Sequence, residues 1–232
     1  MGRHVLLLLI AILGFQSASA QLFSRERLAN LETFDKQFLT WGYFLGVNFY
    51  DYTIDYEELQ PDITVGTSPG FSVGLIGDMR LNQYLNLRLE PGLYITNRTL
   101  TYPRIADEAG RTREVGGTFI HVPLLLKVST KRVNNWKPFV VGGVSYSHNL
   151  SSNEDNPDDN SAGQFRVLTN TYNYEIGFGI DLYLFYFKFT PSIRGVFAFN
   201  DELVPDADPN SPWTGNIAGL KTRGVFLNFT FQ

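Results

Sequence analysis

The stretch "YNYEIGFGIDLYLFYFKFTPSIRGVFAFN", residues 172–200, constrains this chain more than any other. It is rich in tyrosine and phenylalanine, yet Glu175, Lys188 and Arg194 lie within it. Gly177, Gly179 and Pro191 would each damage a membrane helix, which needs about 20 consecutive apolar residues. A period of two resolves the pattern. Tyr172, Tyr174, Ile176, Phe178, Ile180 and Leu182 fall on one side, with Thr171, Asn173, Glu175, Gly177 and Gly179 on the other. A tight turn is expected at Asp181–Tyr183, after which Phe185, Phe187, Phe189 and Ile193 share a face opposite Tyr186, Lys188, Thr190, Ser192 and Arg194. Successive side chains of a strand point to opposite faces, so the stretch is predicted to be a hairpin with one apolar and one polar surface.

The alternation recurs along the chain. Trp41, Tyr43, Leu45, Val47 and Phe49 alternate with Gly42, Phe44, Gly46 and Asn48; Phe71, Val73, Leu75 and Met79 with Ser72, Gly74, Asp78 and Arg80. Leu85, Leu87, Leu89, Leu93 and Ile95 oppose Asn86, Arg88, Glu90 and Tyr94, and Ile120, Val122, Leu124 and Leu126 oppose Phe119, His121 and Lys127. Residues 136–149 form a less polar strand, and 220–232 place Val225, Leu227, Phe229 and Phe231 opposite Gly224, Asn228 and Thr230. A soluble sandwich must cover its apolar face, whereas a lipid-facing wall needs no cover. Joins near 82–84, 130–135 and 181–183 are short, and those near 53–69, 99–115, 150–169 and 200–219 are long and rich in Asp, Asn, Pro and Gly. These features predict an all-β fold, an eight-stranded antiparallel transmembrane outer-membrane β-barrel with tight periplasmic turns and both termini in the periplasm. Closure removes the unpaired strand edges that lipid does not tolerate.

Residues 1–20 have the form of a signal peptide: Arg3 and His4, an apolar run from Val5 to Phe15, and Ala18-Ser19-Ala20 as a cleavage site. The chain then divides into a periplasmic N-terminal segment, 21–39, and the barrel, 40–232. Leu28, Leu31 and Phe34 recur at three-residue steps in that segment and make a short amphipathic stripe. Packing under the barrel mouth and docking to a partner are both open to it.

The absence of cysteine excludes disulfides, thiolate metal sites, a cysteine nucleophile and a lipoprotein anchor. A net charge of −4 gives no electrostatic case for nucleic acid. The predicted inward set contains Asp78, Arg80, Arg88, Glu90, Lys127, Glu175, Lys188 and Arg194. Charges of both signs in the narrow bore of eight strands are expected to form a paired polar core. Glu90 and Glu175 are the candidate carboxylate pair for acid–base work, with nothing to fix their separation. His121 is expected in the lumen as a structural histidine, and His148 cannot pair with its neighbour Ser147 because adjacent strand residues point oppositely. The acidic run at 153–160 (Glu154, Asp155, Asp158, Asp159) lacks the glycine and distal glutamate of an EF-hand loop and is expected to be a solvated loop. No catalytic residues, metal site or cofactor are expected.

Three blocks carry a family resemblance. "NLETFDKQFLTWGYFLGVNFYDY" supplies Asn30, Leu31, Phe34, Asp35, Lys36, Gly42, Gly46 and Asn48. "HVPLLLKVSTKRVNNWKPFVVGGVSYSHNL" supplies Pro123 to Lys127, then Arg132, Asn135, Lys137 and Pro138. "YEIGFGIDLYLFYFKFTPSI" supplies Glu175, Gly177, Gly179, Asp181, Phe187 and Lys188. Their order and joint presence resemble the PorT (SprT) family of the Bacteroidetes. The resemblance implies an integral outer-membrane, non-enzymatic accessory of the type IX secretion system, which also supports gliding motility in some species. Its implied partners are outer-membrane lipid and translocon components. A lipid-modifying barrel enzyme and a general structural or adhesive barrel are the alternatives.

Overall fold

A computed structural model of the protein describes residues 29–58, 63–155 and 165–232. Residues 1–20, where a signal peptide is expected, and Leu28, Asp158 and Asp159 lie outside the described residues. The described strands are β1 (Leu39–Tyr56), β2 (Thr64–Thr67), β3 (Pro69–Arg80), β4 (Leu85–Leu89), β5 (Gly92–Thr101), β6 (Thr112–Ser129), β7 (Trp136–Asn149), β8 (Asn170–Tyr183), β9 (Lys188–Ala198) and β10 (Ile217–Phe231). Two wall strands are broken into pairs, β2 with β3 at Ser68 and β4 with β5 at Glu90–Pro91, where proline has no N–H for a ladder. The wall therefore has eight antiparallel staves. It is closed, because β1 pairs with β3 on one side and with β10 on the other. Leu45, for example, faces Val73 in one ladder and Phe229 in the next.

Among the described residues no helix is long and apolar enough to cross a membrane. The strands supply the apolar surface instead. Along β1, Trp41, Tyr43, Leu45 and Phe49 are exposed while Phe44, Gly46, Asn48 and Tyr50 are buried. Eight residue steps separate Trp41 from Phe49, which at about 3.3 Å per step and a tilt near 40° raise the wall by about 20 Å, the scale of an outer-membrane apolar band. Aromatics ring its lower edge. Tyr43 stacks on Phe231 at 5.3 Å, and Phe189 lies 5.3 Å from Phe231 and 6.2 Å from Phe229.

Short and long connections alternate, which gives the barrel a turn end (81–84, 130–135, 184–187) and a loop end. The turn expected at Asp181–Tyr183 lies further on. Asp181, Leu182 and Tyr183 belong to β8, Tyr183 pairs with Lys188, and Leu184 N–H donates to the Phe187 carbonyl. Asp181 resembles a turn former in sequence, but it is a buried lumenal carboxylate. Tyr186, expected on the inward face, sits at the turn tip and is 93% exposed.

At the loop end the strands run past their expected limits, β1 to Tyr56, β6 from Thr112 and β10 from Ile217. There the polarity inverts while the phase of β1 is kept as far as Asp55, short of a register shift between Asp55 and Tyr56 in the β1–β10 ladder. The outward residues become Asp51, Thr53, Asp55, Lys221 and Arg223, whereas the inward ones become Tyr52, Leu100, Val115 and Leu220. Asp51 and Arg223, opposite one another in the ladder, form an exposed ion pair of 2.6 Å.

Candidate functional site

The bore is filled by charged side chains that the alternation delivers from five staves. Four cations, Arg88, Lys127, Lys188 and Arg194, share it with four carboxylates, Asp78, Glu90, Glu175 and Asp181, and each of the eight residues is at most 4% exposed. Arg88 faces Asp78 in the β3–β4 ladder and donates to its Oδ2 from Nε (3.2 Å) and Nη2 (2.6 Å). Its Nη1 reaches Glu90 Oε1 at 3.3 Å. Lys127 donates to Asp181 Oδ2 at 2.6 Å, and Thr190 Oγ1 donates to Oδ1 of the same carboxylate at 2.8 Å. The Arg194 guanidinium lies between the two glutamates, 2.7 Å from Glu90 Oε2 and 3.4 Å from Glu175 Oε2. Glu90 and Glu175 are thus not a free carboxylate pair. They are two walls of one arginine site. Burying so many charges is tolerated only where opposite charge lies close, and the bore holds equal numbers of each sign. Arg88, Lys127 and Arg194 make the ion pairs, while the Lys188 ammonium lies 4.7 Å from the Phe34 ring centre.

Room for this network comes from glycine. A Cβ on Gly177 would stand 2.4 Å from Arg194 Cγ, and one on Gly179 would stand 2.5 Å from the Phe139 ring. The Gly-x-Gly repeat of β8 therefore clears the space that Arg194 and Phe139 occupy. Phe139 in turn carries the Lys127 ammonium 4.2 Å from its ring centre, a cation–π contact. Arg80 shares the inward phase of Asp78 but is half-buried at the turn-end rim, and it forms no ion pair among the described residues.

One trio combines residue types that also serve catalysis. His121 Nδ1 is 2.7 Å from Ser147 Oγ, and its Nε2 is 2.7 Å from Glu175 Oε1. Ser147 is the ladder partner of His121, while His148 points out and meets Asn170 at 2.8 Å. The imidazole is 0% exposed and packs 4.8 Å from the Tyr94 ring. Ser147 Oγ is also taken by Asn173 Nδ2 at 3.1 Å. A proton on Nε2 would satisfy Glu175 and leave Nδ1 to accept from the serine. Strand phase places each of these residues inward, but their meeting depends on register, which sequence periodicity does not supply.

Above the charges, an aromatic layer of Phe44, Tyr50, Tyr94, Phe119 and Phe226 fills the bore. Beyond it, Arg98 lies under the Tyr52 ring at 3.8 Å and donates to Thr222 Oγ1 at 3.0 Å. Thr222 donates from its N–H (3.0 Å) and its hydroxyl (2.9 Å) to Glu202. Burial pushes the Glu202 carboxyl above its ordinary pKa. An apolar cap of Leu100, Tyr102, Val115, Phe165, Val167, Ile217 and Leu220 closes the loop end. Glu154 accepts from Thr169 N–H at 2.7 Å, hydrogen bonding that holds its pKa down, and no metal-binding cluster of His, Asp or Glu occurs among the described residues.

The turn end is closed by the N-terminal segment. Asn30 N–H donates to Asn135 Oδ1 (2.8 Å) and its amide donates to the Tyr183 carbonyl (3.0 Å). Arg132 donates to the carbonyls of Asn30 and Leu31. Asp35 accepts from the Tyr183 hydroxyl at 2.6 Å and lies 3.5 Å from both Arg132 and Lys137. Phe34 packs edge-on to Tyr183, with the Lys188 ammonium 4.7 Å from its ring centre. The expected stripe of Leu28, Leu31 and Phe34 is not carried by a helix in its described part. Leu31 has φ 50°, a left-handed conformation, and Phe34–Lys36 form a single 3-10 turn. The Phe34 ring is engaged with the barrel.

Residues 19–204 match the model of a family described as outer membrane protein beta-barrel domain. Among solved structures, the chain is similar to neisserial surface protein A, at 8% identity over 84% of this chain and 98% of that one, with a TM-score of 0.47. It is also similar to the outer membrane protein OprG of Pseudomonas aeruginosa, at 13% identity over 82% of this chain and 95% of that one, with a TM-score of 0.45. A comparison with curated proteins finds no match.

Proposed function

We propose that this chain, which belongs to the outer membrane protein beta-barrel domain family, serves type IX secretion as a non-enzymatic accessory that supports the assembly or stability of the translocon. Its location is the outer membrane, as an integral barrel. The turn end is the periplasmic end in this reading, with both termini on that side.

One observation carries the proposal. The residues that give the chain its resemblance to the PorT family lie far apart in sequence, yet many of them meet at a single place. Asn30, Phe34 and Asp35 contact Arg132, Asn135, Lys137 and Lys188, while Lys127 and Asp181 pair just inside. Motif residues that build one closed mouth favour a shared family architecture over chance similarity of aromatic strands. The filled bore favours an accessory role, since no polypeptide passes through stacked charged, aromatic and apolar layers.

The lipid-modifying alternative has the Ser147–His121–Glu175 contact in its favour. Against it stands the enclosure of all three side chains, which leaves a substrate carbonyl no route to Ser147 Oγ. Deletion of the gene, with secretion of a cargo bearing the type IX C-terminal signal and lipid A composition measured together, tests the readings. Loss of export with unchanged lipid A is expected, and S147A is expected to restore export. Normal export in the deletion strain would sink the secretion role.

A further inference from the structure

We infer that the turn end carries a binding site for a phosphate-bearing anion, built jointly by the N-terminal segment and two turns of the barrel. A cleft of about 410 Å³ opens there between the 3-10 turn, the β3–β4 turn and the β6–β7 turn. Five cationic side chains line it, against two carboxylates. The carboxylates do not balance the cations. Asp35 is already shared by Arg132 and Lys137, each at 3.5 Å, and by the Tyr183 hydroxyl. Lys36, Arg80 and Lys131 form no ion pair among the described residues, and Glu32 is the one remaining acid on the wall. A cleft with surplus positive charge on a chain of net charge −4 is a local device that overall composition does not explain.

The donor set selects the chemistry. Arg132 is engaged by the carbonyls of Asn30, Leu31 and Asn134 and by Asp35. That leaves the Arg80 guanidinium and the Lys36 and Lys131 ammonium groups to line the cleft, a donor set that suits the several oxygens of a phosphate better than one carboxylate. Position supports this. Leu81 and Tyr84, which flank Gln83 in the β3–β4 turn, are 52% and 41% exposed, so the cleft borders the apolar surface of the wall. A phospholipid headgroup at that edge and a soluble phosphate compound present the same ligand chemistry. Because the three segments lining the cleft are distant in the chain, a bound anion would also tie the N-terminal segment to the barrel.

The experiment uses the full mature chain in neutral detergent, titrated with inorganic pyrophosphate and, separately, with short-chain phosphatidylglycerol, and read by isothermal calorimetry. Saturable binding of at least one probe is expected, weakened at about 0.5 M salt, where screening acts within about 4 Å. Arg80→Gln combined with Lys131→Gln should weaken binding by about tenfold or more, the scale of a lost charge-assisted hydrogen bond. Arg80→Lys should retain most of it, and Lys221→Gln at the loop end should change nothing. Neither Arg80 nor Lys131 takes part in the lumenal network, so heat-modifiability should stay normal in the double variant. Binding of pyrophosphate alone identifies a soluble phosphate compound, and binding of phosphatidylglycerol alone identifies a lipid headgroup. No saturable binding of either probe, or equal binding by the double variant, overturns the site.

Discussion

The two halves of this barrel are built from the same strands and solve opposite problems. In the apolar band, Leu45, Ile176 and Val225 face outward and Asp78, Arg88, Glu175 and Arg194 fill the bore. A few residues further along the same strands, Asp51, Thr53 and Lys221 face outward and Leu100, Val115 and Leu220 fill it. The first half is stabilised inside by ion pairs that must balance, and the second by apolar burial, as in a water-soluble core. Strand phase is continuous across the boundary. What changes is the solvent, so the amino acids change to match while the backbone does not.

The largest effect should come from unbalancing the charged half. Asp181→Ala removes the partner of Lys127 and the acceptor for Thr190, leaving a buried ammonium in the bore. A loss of about 3–5 kcal/mol is expected in urea unfolding from micelles, the scale for stripping one partner from a buried pair. A loss below about 1 kcal/mol would show that the bore is wetter than the packing implies.

An intermediate effect should distinguish the two outer faces. Phe178→Arg places a cation in the middle of the apolar band and should cost about 2–4 kcal/mol. Thr53→Arg, on the outer face of the loop-end half, should stay within about 0.5 kcal/mol. Similar costs at both positions, measured by the same unfolding assay, would erase the proposed boundary between the halves.

The smallest effect concerns Glu202, a carboxyl buried beneath the loop-end core. Glu202 has a raised pKa in the folded protein, so the folded state holds its proton more tightly than the unfolded chain does. That contribution is present below its ordinary value of 4.5 and is lost as pH rises through the raised value. Hydrogen exchange at the Leu220 amide, which donates to Asp201 beside it, should therefore quicken over that window. Glu202→Gln should flatten the dependence. An unchanged profile in the variant would assign it to another group.

The contrast between the halves also explains what the sequence made legible. Alternation located the wall strands wherever lipid demanded an apolar face, and it put Asp78, Arg88, Glu90, Lys127, Glu175, Lys188 and Arg194 on one side. It ended β1 and began β6 at the wrong places, because beyond the band the outward residues turn polar and imitate a loop. It placed a turn at Asp181, because a lone aspartate among aromatics looks like a turn former until its lysine is found. Pairings were not legible at all. Arg194 meets Glu90 across the bore, and His121 meets Ser147 through ladder register, and neither relation is written in local periodicity. Leu31 and Phe34 were readable as apolar, but not as parts of a closed mouth, since their contacts lie about a hundred or more residues away.

Those long separations impose an order of events. Asn30 and Leu31 leave the ribosome before Arg132, Asn135, Tyr183 and Lys188, to which Asn30, Leu31 and Phe34 are bound in the finished molecule. Their docking surface exists only once the β6–β7 turn and the β8–β9 hairpin stand side by side in the wall. The first described residues of the chain are therefore among the last to find their place. The left-handed backbone of Leu31, held through its carbonyl by Arg132, is a latch that can engage only when those staves are in place.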